Sequence, residues 1–130
     1  MSEEDEAKMA KKVYVVEDNE KNMSLFTAIL NTIKDIEIIT DTRGDTGLEL
    51  IKKGNPDLII LDIQLPGING IEICKELRKI DRFSKIPIIA VTAFSMKGDQ
   101  EAIMAAGFTQ YISKPIRVMQ FKETIMKYLT

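Results

Sequence analysis

The sequence contains no histidine and no tryptophan, and its only cysteine is Cys74. Without histidine the chain cannot build a Ser-His-Asp triad or carry a phosphohistidine itself, and most zinc sites are closed to it. A lone cysteine cannot form an internal disulfide, which suits a reducing compartment. Neither sign of charge dominates: 18 Lys and Arg stand against 20 Asp and Glu, a net charge of −2. That balance gives no electrostatic case for nucleic acid as the main partner. No apolar run approaches the ~18–20 residues needed to cross a membrane. The early acidic residues Glu3, Glu4, Asp5 and Glu6 have the wrong sign for a secretory signal. The cytoplasm is the expected location, with no membrane partner.

What is present is the composition of an ordinary globular domain, 45% hydrophobic and 29% charged over 130 residues, enough for one domain and little more. Residues 1–10 are polar and acidic, lack apolar periodicity, and are predicted to be a disordered tail. Residues 11–130 form the predicted domain.

Two kinds of segment alternate there. Val13–Val16, Ile36–Ile39, Leu58–Leu61, Ile86–Val91 and Tyr111–Ile112 are short apolar or β-branched runs. Their near-continuous apolar character is that of strands buried on both faces of a parallel sheet. Between them, apolar residues recur at helical spacing: Met23, Phe26, Ile29, Leu30 and Ile33; Leu48 and Ile51, closed by Gly54 and Pro56; Ile73, Leu77 and Ile80; Ile103 and Ala106, capped by Gly107; and Val118, Phe121, Ile125 and Leu129. Five β-α units joined by right-handed crossovers predict an α/β fold with a doubly wound five-stranded parallel sheet.

Ligand sites in open α/β sheets form outside the carboxyl ends of the strands. The first strand leads into Glu17 and Asp18, the third ends at Asp62, the fourth at Thr92, and the fifth precedes Lys114 and Pro115. Three carboxylates brought together repel one another, and a bound cation is the simplest relief. An oxygen-only donor set favours a hard ion, Mg²⁺ first, with Mn²⁺ able to substitute. A carboxylate beside such an ion can act as a nucleophile and form an aspartyl phosphate. Thr92 can hydrogen-bond a phosphoryl oxygen, and Lys114 offers a compact positive charge.

These residues carry a resemblance. Val15-Val16-Glu17-Asp18-Asn19, the run from Leu58 through Asp62, Gln64 and Pro66 to Gly70, Val91-Thr92-Ala93, and Tyr111-Ile112-Ser113-Lys114-Pro115 together resemble a response-regulator receiver domain over residues 12–129. The resemblance implies the flavodoxin-like (βα)5 receiver fold with strand order 2-1-3-4-5. It also implies a phosphoacceptor at Asp62 and metal ligation by Asp18, Asp62 and the backbone carbonyl of Gln64, with Glu17 acting through water. Thr92 and Lys114 would grip the phosphoryl group, Thr92 and Tyr111 would form the switch, and the Lys114–Pro115 bond would be cis. A narrower likeness, in Val16 to Asn22, Asp62 to Pro66 and Thr92 to Asp99 followed by Lys114-Pro115-Ile116, is to single-domain cell-cycle regulators of the DivK type.

The implied function is that of a stand-alone response regulator in a two-component phosphorelay, not an enzyme beyond its own phosphorylation and dephosphorylation. The implied partners are a sensor histidine kinase or histidine phosphotransfer protein, and a signalling protein docking near the fourth helix, fifth strand and fifth helix. A monomer or weak dimer is expected. A phosphorelay intermediate or phosphate sink, and a receiver module of a hybrid kinase, are the alternatives. An aspartyl-nucleophile phosphohydrolase is the remote one, because its Asp-x-Asp pattern belongs after a first strand. Phe94, like Gln64, lies where similar domains tune hydrolysis. Cys74 reads as a small core residue, and Met96, Met104, Met119 and Met126 as packing residues with some capacity for an adaptable surface.

Overall fold

The computed structural model describes residues 10–93 and 97–129. The predicted tail lies almost wholly outside them, as do Phe94 and Met96. Five strands, β1 (Lys11–Val16), β2 (Ile36–Asp41), β3 (Leu58–Asp62), β4 (Ile88–Thr92) and β5 (Gln110–Ser113), pair in parallel in the order β2-β1-β3-β4-β5. The helices are α1 (Glu20–Leu30), α2 (Gly44–Lys53), α3 (Gly70–Arg78), α4 (Lys97–Ala105) and α5 (Val118–Leu129). This is the predicted doubly wound architecture.

The continuous apolar strands divide their side chains between two cores, as a period of two residues requires. Val13, Val15, Leu58, Ile60, Ile89 and Val91 meet Phe26, Leu30, Phe121 and Ile125 of α1 and α5. Tyr14, Val16, Ile59, Leu61, Ile88 and Ala90 face Leu48, Ile51, Ile73, Leu77 and Ile103 of α2, α3 and α4. Phe26 and Phe121 stack with ring centroids 5.2 Å apart, tying the first helix to the last.

Three local features differ from the sequence reading. β2, at the edge where the implied order 2-1-3-4-5 puts it, is not buried on both faces as its apolar run suggested: Glu37 and Thr40 are exposed and none of its residues is fully buried. β4 begins at Ile88 rather than Ile86, because Pro87 has no N–H to donate and the Ile86 carbonyl accepts from Arg78 Nη1 at 2.7 Å. The third helix stops at Arg78, and a 3-10 turn at Asp81–Phe83 plugs Phe83 into the core. Gly107 behaves as predicted: with φ +106 it takes the left-handed conformation that closes α4.

Candidate functional site

Parallel pairing delivers four strand ends to one rim. β1 runs out at Val16, and the Glu17 amide still bonds Asp41 O at 3.1 Å, so Glu17 is held as a continuation of the sheet. Asn19 turns the chain into α1, its side chain accepting from the Asn22 amide at 2.9 Å. Asp62 is the last residue of β3. Gly70 starts α3 so close behind it that a Cβ would collide with the Asp62 backbone carbonyl. Across the sheet the Lys114 amide donates to Thr92 O at 2.8 Å, joining the ends of β4 and β5, and the Lys114–Pro115 bond is cis.

Carboxylate oxygens of Glu17, Asp18 and Asp62 all lie within 4.8 Å of one another. Lys114 Nζ sits 3.0 Å from Asp62 Oδ2 and 3.1 Å from Glu17 Oε1. The contact with Asp62 is a hydrogen bond. The approach to Glu17 Oε1 is ionic but outside hydrogen-bond geometry, leaving this oxygen as the buried side-chain polar atom without a hydrogen-bond partner among the described residues. Glu17 is fully buried and Asp62 nearly so, while Asp18 is exposed. Burial pushes the Glu17 carboxyl up to about 7, helped by the hydrogen bond and charge of Asp62. The Asn19 amide and the Lys114 charge pull the other way and do not win. Burial alone would lower the Lys114 pKa, but the hydrogen bond and charge of Asp62, and then Glu17, carry it upward.

Three carboxylates facing one ammonium leave a surplus of negative charge, and the orphaned Glu17 oxygen marks where a counter-charge is missing. The donors are oxygens with no sulfur or imidazole, which fits a hard divalent ion such as Mg²⁺.

The predicted residues thus divide. Glu17, Asp18, Asp62 and Lys114 form one cluster, and Thr92, buried, ends the strand beside Asp62. Gln64 lies next to it, its amide donating to Asp62 Oδ1 at 3.2 Å, and Asp18, Gln64, Pro66 and Asn69 line a shallow hollow on that side. Tyr111 stands apart. It is half-buried on β5, packs against the α2–α4 core, and borders a concavity shared with Lys114. Sequence reading overlooked the two asparagine caps, Asn19 for α1 and Asn69 for α3. A signal for the second was available: Asn69 is followed three residues later by Glu72, whose amide donates to Asn69 Oδ1 at 2.9 Å.

Cleft, fold and donor set define a class. Residues 13–126 match the family model described as the response regulator receiver domain, and the chain belongs to that family, the receivers of two-component systems. Among relatives, it is 49% identical over 121 residues to the polar-differentiation response regulator DivK of Brucella anthropi, covering 93% of this chain and 98% of that one. The DivK of Brucella ovis is 48% identical with the same coverage. Among solved structures, the receiver domain of a Pseudomonas aeruginosa sensor histidine kinase, with a magnesium ion coordinated in its active-site cleft, superposes with a TM-score of 0.84 at 25% identity, covering 92% of this chain and 98% of that one. The chemotaxis response regulator CheY4 of Vibrio cholerae superposes with a TM-score of 0.85 at 24% identity, covering 92% and 99%, a likeness of fold alone. Among the described residues, no helix is long and apolar enough to cross a membrane.

Proposed function

We propose that the protein is a response regulator switched by Mg²⁺-dependent phosphorylation of Asp62, with a sensor histidine kinase or histidine phosphotransfer protein as donor. The observation that carries the reading is the surplus of negative charge at the rim: among the described residues, three converging carboxylates, one of them buried with an oxygen lacking a hydrogen bond, face a single lysine. Asp18, Asp62 and the Gln64 backbone carbonyl would hold the ion, with Glu17 acting through water. Bound there, Mg²⁺ supplies positive charge to the phosphoryl oxygens and relieves the crowding of carboxylates.

The chain's own groups supply the rest. An Asp62 carboxylate oxygen attacks phosphorus, the bond from phosphorus to the donor imidazole breaks, and the imidazole leaves with its electron pair. Lys114, already bonded to Asp62, remains beside the phosphoryl group as a fixed cation. Thr92, at the end of the neighbouring strand, donates its hydroxyl to a phosphoryl oxygen. Movement of Thr92 and reorientation of Tyr111 then alter the surface of α4, β5 and α5 for a downstream signalling protein. About 5.5 kcal/mol of differential stabilisation would carry such an equilibrium from 1:99 to 99:1.

The test is intact-mass spectrometry after incubation with Mg²⁺ and acetyl phosphate, with wild type beside Asp62→Asn and a chelated control. A single labile adduct of about 80 Da on metal-loaded wild type alone is the expected result. A folded, Mg²⁺-binding protein that takes no adduct from any donor would remove the phosphoryl step and leave a receiver that works by binding alone.

A further inference from the structure

The other end of the sheet carries a feature that the phosphoryl chemistry does not use. Where β1 and β2 begin and α5 ends, a hollow of ≈ 460 Å³ opens between the α1–β2 turn and α5. Its floor is Ile33, Ile36, Met126 and Leu129, and Met126 is 43% exposed. Lys11, Lys34 and Lys122 also line it, against Asp35 as the one acidic residue there among the described residues. An apolar floor with an excess of ammonium groups selects a ligand that combines carboxylates with apolar side chains.

The chain itself contains such a ligand. Residues 1–9 read Met-Ser-Glu-Glu-Asp-Glu-Ala-Lys-Met, four carboxylates flanked by two methionines. This segment is attached through Ala10 to Lys11, which is part of the hollow's own lining. Glu6 stands five residues before Lys11, a reach of up to about 17 Å of extended chain. A tether that short holds the carboxylates near the hollow at an effective concentration on the order of millimolar, so contacts too weak to bind in trans become populated.

We propose that the acidic segment Met1–Met9 docks in cis on this lysine-lined hollow. Its carboxylates pair with Lys34 and Lys122, and a methionine covers the apolar floor. The docked segment shields the Lys122 and Met126 side of α5 and competes with any partner that uses that part of the helix. None of this depends on Asp62 being phosphorylated.

Zero-length carbodiimide cross-linking of the full chain tests it, using an equal mixture of ¹⁴N- and ¹⁵N-labelled protein so that links within and between chains differ in mass. Links from Glu3, Glu4, Asp5 or Glu6 should concentrate on Lys34 and Lys122, stay within one chain, and fall several-fold in ~0.5 M salt, where the Debye length shrinks to roughly 4 Å. In parallel, the Met126 methyl resonance of the wild type should move when Glu3, Glu4, Asp5 and Glu6 are replaced together by their amides. Links spread evenly over Lys52, Lys53, Lys75 and Lys79 on the opposite face would overturn the proposal. So would links found only between chains, which would make the hollow an intermolecular contact, or a Met126 resonance that ignores the substitutions.

Discussion

Arg78 and Glu17 sit at opposite ends of the sheet, both carrying charge into the protein, and their surroundings differ. Arg78, at the end of α3, donates to Gly107 O at 2.9 Å, Phe83 O at 2.8 Å, Ile86 O at 2.7 Å and Thr109 Oγ1 at 3.3 Å. One guanidinium thus joins α3, the 3-10 turn and the segments that enter β4 and β5. Its planar fork of donors matches acceptors that already existed as loop carbonyls. Glu17 has the reverse situation, with one buried oxygen lacking a hydrogen bond among the described residues, a second carboxylate beside it, and the Asn19 amide and the Lys114 charge too weak in opposition. The satisfied end is built to stay as it is. The unsatisfied end is built to accept something, because added positive charge there relieves strain already present.

Substitutions can break that contrast from either side. The largest effect is expected at Arg78: Arg78→Met strands the carbonyls it served and should cost about 3 kcal/mol. Calorimetry would read this as a fall in Tm on the order of 10 °C, with or without Mg²⁺. At the rim, Lys114→Met leaves Asp62 and Glu17 unopposed and should cost about 2 kcal/mol in chelated protein, less than a fully buried pair would because a fifth (20%) of the lysine side chain is exposed. Here Mg²⁺ should restore most of the loss, which distinguishes the two ends. Insensitivity of Lys114→Met to Mg²⁺ would dissolve the comparison.

Glu17→Gln runs the other way. Metal-free protein should gain about 1 kcal/mol, since a charge without a full set of partners has been removed. Mg²⁺ affinity, measured by titration calorimetry, should fall about tenfold. The pH dependence sharpens the same point. Because the Glu17 carboxyl is raised from 4.5 to about 7, the folded state holds its proton over a range where the unfolded state has released it. That contribution to stability is complete below about 4.5 and is lost as pH rises through about 7. Subtracting the Glu17→Gln curve from the wild type in chelator should isolate this falling limb. The smallest effect concerns Cys74, whose thiol burial pushes up to about 11 with the Arg78 charge opposing. Alkylation at pH 8 should therefore wait for unfolding in wild type, and proceed faster in Arg78→Met.

How much of this was legible in the sequence follows from the range of each interaction. The five strands and five helices were readable because buried parallel strands and amphipathic helices imprint short periods on neighbouring residues. The rim residues were readable because a parallel sheet sends every strand's carboxyl end the same way, so Glu17, Asp18, Asp62, Thr92 and Lys114 had to converge. The half exposure of β2 was not readable from its own residues, since Ile36, Ile38 and Ile39 look like any interior strand; only the order 2-1-3-4-5 that the family resemblance implied makes them an edge. The Arg78 clamp was hidden for a similar reason. Its acceptors at Gly107 and Thr109 are backbone and side-chain oxygens 29 and 31 residues away, and a carbonyl leaves no mark in a sequence. The missing partner of Glu17 Oε1 is a fact of angle, which only coordinates contain.

The stacking of Phe26 on Phe121 brings the two ends of the described chain to one place, where Lys11 and Leu129 border the same hollow. The order in which these strands and helices are written along the polypeptide is therefore separable from their order in space. A gene rearranged to join residue 129 to residue 11 by a few glycines, and opened in the 54–57 turn between α2 and β3, would encode the same sheet from a different starting point. In such a permutant the Asp62 strand comes first, and Glu17 and Asp18 come after α5, with α1, β2 and α2 still to follow. The rim would still be assembled, because it is a property of the sheet and not of the reading frame.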